Sequence, residues 1–162
     1  MNTLYTPDRA LMWLRKTPVI LSAILRDVDQ TKAMGNRDGD DGWNVLEIMC
    51  HLNDLEDVYN QRLRATLEQD RPALIGFKPL EAVIEHDYAH QIFSDVVQSY
   101  LVRRTEKLRL LESLSAEQWQ RVGVHADYGD MRVLDQAVAT ALHDVNHTEQ
   151  IVRVLNIASI VL

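Results

Sequence analysis

Apolar residues recur along this chain at the three-and-four spacing of an α-helix, not at the alternation of a strand, and they do so in four long stretches. The first opens at Thr6-Pro7-Asp8, with Thr6 as cap, Pro7 in the first helical position, and Leu11, Trp13 and Leu14 on the apolar side. Thr17-Pro18 repeats the start signal, and Ile20, Leu21, Ile24, Leu25 and Val28 carry the spacing on to about Thr31. The first helix is therefore predicted to be broken or kinked at Pro18. The glycine- and aspartate-rich run 35–42 has no apolar periodicity and lacks the spacing and closing Glu of an EF-hand, so it reads as a solvated loop. In the second helix, from about residue 44 to 69, Val45, Ile48, Met49, Leu52, Leu55, Tyr59, Leu63 and Leu67 fall within an arc of about 120°. Pro72, Gly76 and Pro79 mark an extended loop over 70–85, with room for a short helical piece after Pro79. A third helix is predicted over about 88–113, a capped single turn at Ser115 to Trp119, a loop over 121–130 and a fourth helix over about 131–156. No stretch reads as strand. Four long helices with one core face each predict an all-α, up-and-down four-helix bundle, a single domain spanning residues 1–162.

Composition narrows the function classes. The 162 residues suit one domain, and 46% hydrophobic content supplies an ordinary core. A net charge of −7 argues against a nucleic-acid backbone as partner. No apolar run approaches the roughly 20 residues of a membrane span, and the N-terminus has no signal-peptide pattern, so a cytoplasmic, soluble protein without a membrane partner is expected. The single Cys50 excludes an intrachain disulfide. It points about 100° away from His51 on a helix, which leaves it a structural, buried thiol.

The six histidines carry the candidate chemistry. His143 and His147, four apart on the fourth helix, can turn two imidazoles toward one point. His51, at the border of the core face of the second helix, is a candidate third member. Three neutral imidazoles without a further protein ligand would leave coordination positions open to water or substrate, the mark of a catalytic site. Incidental boundary histidines give the same pattern, and spacing alone does not choose between them. His86 and His90 have the same spacing but sit at a loop–helix junction, and His125 stands alone in a glycine-bounded loop. Glu47 and Asp54 lie one turn before and one turn after His51, where either could orient a ligand or relay a proton, although solvated carboxylates on a flank are common.

Several segments in order resemble the DinB-like superfamily of four-helix metalloproteins. They are Trp43-Asn-Val-Leu-Glu47, His51-Leu-x-Asp54-x-Glu56, Leu114-x-x-Glu117-x-Trp119, Val124-His125-x-x-Tyr128-Gly129 and His143-Asp144-x-x-His147-x-x-Gln150-Ile151. The resemblance implies an up-down-down-up bundle with a long crossover and one divalent ion, nickel, zinc or another, on a triad matched here by His51, His143 and His147. It also implies frequent homodimers, which the apolar Ile157, Ile160, Val161 and Leu162 would favour. Similar proteins are thiol-dependent transferases or metal-dependent hydrolases acting on small molecules. A metal stabilises a low-molecular-weight thiolate without a dedicated base, whereas hydrolysis asks for a positioned one, with Glu47 the first candidate. Thiol transfer to a small electrophile therefore ranks above hydrolysis. A non-catalytic, metal-binding stress-response protein and a metal-free interaction domain are the remaining readings.

Overall fold

A computed structural model describes residues 4–156, so the apolar tail from Ile157 lies outside the described residues. Helix α1 spans Pro7–Ile24, capped by Thr6 Oγ1, which accepts from the Arg9 amide. It runs unbroken through Pro18, against expectation. Proline removes the amide that would bond the carbonyl of Leu14 four residues back, and that carbonyl instead accepts from Nη1 of the buried Arg104 at 3.2 Å. The helix stops at Ile24, short of Thr31. Asp29, whose Oδ1 accepts from the Lys32 amide at 2.8 Å, starts a separate helix α2, Gln30–Gly35.

Helix α3, Val45–Glu68, opens on a capping box in which Asn44 and Glu47 satisfy each other's amides. The crossover that follows holds α4, Pro79–Glu85, and a single 3-10 turn, Tyr88–His90. Helix α5 begins at Phe93, later than the sequence predicts, and ends at Glu112. Asp87 adopts a left-handed conformation, and the Phe93 amide is capped by Gln30 Oε1 of α2 at 2.7 Å. A contact between distant segments sets that boundary. The expected capped turn is α6, Ala116–Trp119, and its cap is a capping box between Ser115 and Gln118.

The predicted loop over 121–130 is a β-hairpin. Strand β1, Val122–His125, pairs antiparallel with β2, Gly129–Arg132, from Val122 opposite Arg132 to His125 opposite Gly129. Its free edge is taken by the crossover: the Leu74 amide donates to the Val124 carbonyl and the Val124 amide to that of Pro72. Gly123 is required there, since a Cβ would stand 2.5 Å from Leu74 Cδ2 and 2.8 Å from Thr66 Oγ1. Helix α7, Val133–Val154, completes the regular structure of the described residues.

The long helices form a ring in the order α1, α7, α3, α5. Leu21 and Leu25 share a core cluster with Ile151 and Val154, and Leu11 and Leu14 share one with Leu134 and Val138, so α1 and α7 run parallel. Asn53 meets Arg103 and Glu56 meets Arg104 and Lys107, so α3 and α5 run parallel. His51 faces His143 while Thr66 faces Gln136, which makes α3 antiparallel to α7. The topology is up-down-down-up, with the long crossover joining the two parallel neighbours α3 and α5.

Four ionised side chains are sealed inside this ring. Arg104 forks onto Glu56 at 2.8 and 2.9 Å and lies 2.7 Å from Asp144, and Lys107 lies 2.9 Å from Glu56. All four are at most 3% exposed. Burial would raise the Glu56 carboxyl, but the Lys107 and Arg104 charges overcome that and hold it at about 2. Burial wins at Asp144, which is pushed up to about 6. The two carboxylates thus share the guanidinium unequally.

Candidate metal centre

The antiparallel contact of α3 and α7 brings His51, His143 and His147 together. Their ligand nitrogens lie within 4.8 Å of one another, and His143 Nε2 is 3.1 Å from Nε2 of both His51 and His147. The ring of Trp43 packs on His51 at 4.9 Å between centroids and on His147 at 6.5 Å, and Phe77 from the crossover meets His51 at 5.7 Å. These contacts hold the imidazoles edge to edge with limited freedom.

A chain of hydrogen bonds sets the protonation of one ligand. Asp38 Oδ2 accepts from Gln150 Nε2 at 2.9 Å, which turns Gln150 Oε1 toward His147 Nδ1 at 2.7 Å. An oxygen acceptor requires a proton on Nδ1, so His147 Nε2 presents a lone pair to its neighbours. Protons cannot then satisfy both 3.1 Å contacts. If His143 Nε2 donates to His147, it cannot accept from His51; if it accepts from His51, two lone pairs face each other at His147. Charging the rings is opposed as well. Burial and then mutual repulsion, from His147 first in each case, bring His51 and His143 down to about 3, and burial also lowers His147. A cation among the three nitrogens would satisfy all of them, and an all-imidazole donor set suits nickel or zinc.

The other sequence candidates are placed elsewhere. Glu47 is committed to Arg37, at 2.9 and 3.0 Å, and to the Asn44 amide. Asp54 Oδ2 accepts from Tyr88 and faces His86 Nδ1, each at 2.6 Å, while His51 Nδ1 is buried without a partner. Neither carboxylate is hydrogen-bonded to a triad ring. His86 lines a cavity of about 780 Å³ between α3, α4 and Arg103. His90 pairs with Asp87 at 2.7 Å, so the two do not converge. His125 is buried in the hairpin and its Nδ1 accepts from the Asp127 amide. Cys50 is buried, its thiol pushed up to about 12 by burial and by Asp54 and Glu47, as suits a structural residue.

Sequence reasoning did not find Asp38 and Gln150 as a supporting pair, having read Asp38 as part of a solvated loop. Gln150, three residues after His147 and thus on its face of the helix, was the available signal. The buried charges had one too, because Arg104 and Lys107 fall among Tyr100, Leu101, Leu108 and Leu111 on an apolar stripe.

Residues 14–151 match the family model described as the DinB superfamily. The chain belongs to the DinB superfamily. A relative in that setting, from Halalkalibacterium halodurans and named "putative metal-dependent hydrolase", is 23% identical over 152 residues, covering 89% of this chain and 85% of its own. Among solved structures, YfiT from Bacillus subtilis superposes with a TM-score of 0.85 at 18% identity, over 96% of this chain and 90% of that one. It is described as a probable metal-dependent hydrolase with an unusual four-helix bundle topology. The DinB-like bundle read from the sequence is thus the observed fold. None of the helices among the described residues is long and apolar enough to cross a membrane.

Proposed function

We propose that this DinB-superfamily protein is a metal-dependent enzyme acting on a small molecule, with one divalent ion, nickel or zinc, held by His51, His143 and His147. The observation that carries the reading is the frustrated triad: three imidazole nitrogens within 4.8 Å that protons cannot all satisfy. Held there, a divalent ion would supply Lewis acidity, favouring the deprotonated form of a water or thiol at neutral pH. The chain's own residues provide orientation. Gln150 and Asp38 fix the His147 tautomer, Trp43 and Phe77 brace the rings, and no fourth protein ligand from a His, Cys, Asp or Glu joins the cluster among the described residues.

Two chemistries fit such a site. Glu47 is engaged with Arg37 and Asp54 with Tyr88, so neither carboxylate predicted as a base is free. This favours transfer of a low-molecular-weight thiol to a small electrophile. The names of the two relatives favour hydrolysis, which would draw on Glu47 if Arg37 released it. A cytoplasmic homodimer is part of the proposal, supported by the apolar groove that Trp13, Ile20, Leu142 and Val145 form between α1 and α7. Light scattering tests it, and a monomer at micromolar concentration would refute it.

Elemental analysis of protein purified without a histidine tag is expected to give one metal per chain, strongly reduced in His51→Ala, His143→Ala and His147→Ala. Full occupancy in all three variants would place the metal elsewhere. Metal-loaded protein incubated with bacillithiol, mycothiol or glutathione and monochlorobimane should conjugate faster than His147→Ala. Metal-dependent ester or amide cleavage without conjugation would instead establish the hydrolase.

A further inference from the structure

Arg62 of α3 is 7% exposed, and no carboxylate pairs with it among the described residues. The contrast with Arg104 and Lys107 is sharp, since those buried cations share two buried carboxylates. A cation so largely withdrawn from water without a counter-charge is costly, and a ligand that supplied the charge would relieve that cost. Arg62 is held rather than stray: its Nε donates to the Ile75 carbonyl of the crossover at 2.8 Å, and its guanidinium carbon sits 5.5 Å from the centre of the Tyr59 ring. Its two Nη groups have no hydrogen-bond partner among the described residues, yet they are not among the fully buried unpartnered atoms, so they meet solvent. Half of a rigid fork is anchored and the other half is free.

Arg62 is eleven residues, or three turns, beyond His51 on the same row of α3, and long helical side chains lean toward the helix N-terminus. Tyr59 links the two places: its ring is 6.4 Å from that of His143, and the Arg62 guanidinium carbon lies 5.5 Å from its centre.

Resting on the metal-centre reading above, we propose that Arg62 is the anion subsite of this centre, so that the substrate carries a carboxylate at one end and its reacting group at the triad. A single guanidinium matches a monoanionic carboxylate through two parallel N–H···O bonds, whereas a phosphate dianion would call for a second cation, and Lys107, the other cation on the Tyr59 ring, is already committed to Glu56. Tyr59 then flanks the chain joining the two ends.

The test uses the full chain loaded with cobalt(II) and two thiols of equal length, mercaptohexanoate and the neutral mercaptohexanol, titrated through the cobalt–thiolate charge-transfer band. A charge-assisted pair is worth about 1.5–3 kcal/mol, so the carboxylate thiol is expected to bind roughly 10- to 100-fold more tightly. In Arg62→Gln the two affinities should come within about 3-fold of each other, with cobalt stoichiometry unchanged. Arg62→Lys, which keeps the charge and loses the fork, should show a reduced preference and replaces Arg62→Gln if that variant does not fold. Equal affinities in the wild type, or a preference that survives in the variant, would overturn the subsite while leaving the metal centre intact. A wild type that takes up no cobalt would overturn the metal reading instead. The subsite is then decided on metal-free protein, where hexanoate but not hexanol should raise the melting temperature of the wild type and not of Arg62→Gln, and equal effects would refute it.

Discussion

Arg104→Met is expected to cost about 3–5 kcal/mol of stability at pH 7, the range for removing one partner of a buried ion pair. The structure shows where the loss arises. Glu56 would keep only Lys107, Asp144 would lose its ion-pair partner, and the Leu14 carbonyl freed by Pro18 would lose its donor. The Glu56 part can be sized from its titration. Its value of about 2 in the fold, against 4.5 outside it, corresponds to about 3 kcal/mol. Because the folded value is depressed, that contribution is fully present above about pH 4.5 and drains away as pH falls toward 2. With Lys107 alone holding Glu56, the variant has less of it to lose, so its deficit should shrink in acid by roughly 1 kcal/mol at pH 3.5. Urea denaturation of metal-free protein, followed by circular dichroism at pH 7 and 3.5, measures both quantities. Adding Glu56→Gln to the variant should cost less than the two single changes together, since the carboxylate stranded by the first is removed by the second. A deficit below about 1 kcal/mol at pH 7, or one that grows in acid, would refute the reading of this network as ionised and mutually compensating.

Gln150→Ala should weaken metal binding by about 10- to 100-fold in chelator competition while barely changing the melting of metal-free protein; an unchanged affinity would deny Gln150 its orienting role. Gly123→Ala should destabilise by about 1–3 kcal/mol in thermal melts, because its Cβ meets Leu74 and Thr66, and a neutral result would mean the crossover yields freely. Pro18→Ala should stabilise by less than about 1 kcal/mol, well under the roughly 3 kcal/mol usual for an interior proline, because Arg104 already serves the Leu14 carbonyl; a gain near 3 would show that it does not.

The triad was legible because helical periodicity is a local property. His143 and His147 are four positions apart, and the position of His51 at the border of an apolar arc already aimed it at a facing helix. The sequence could not choose which helix it faced, and the resemblance supplied that. What escaped were features made by distant partners. The hairpin has only four residues per strand, and its free edge is completed by Pro72 and Leu74, some fifty residues earlier, so no alternation long enough to read exists within it. Pro18 signals a break in any isolated helix. It does not break α1 because a guanidinium ninety residues away, at Arg104, replaces the missing amide.

The same guanidinium ties that exception to the candidate site. Arg104 spans from α1, through Leu14, to α3, through Glu56, and to α7, through Asp144, which is the residue after His143. The two helices that supply the triad are thus braced against each other and against the proline turn by one buried cation, just beneath the histidines. An apolar filler could hold the helices together with equal strength, but it would allow them to slide. The directed bonds to Glu56 and the Leu14 carbonyl and the close ion pair with Asp144 oppose that sliding, and a metal centre built from opposite helices needs its imidazole nitrogens held to within a fraction of an ångström. On this argument the Arg104→Met variant should lose metal affinity even under conditions where it remains fully folded. Chelator competition in the absence of denaturant, compared with Gln150→Ala, reads that loss, and wild-type affinity in a folded Arg104→Met protein would confine the network to stability alone.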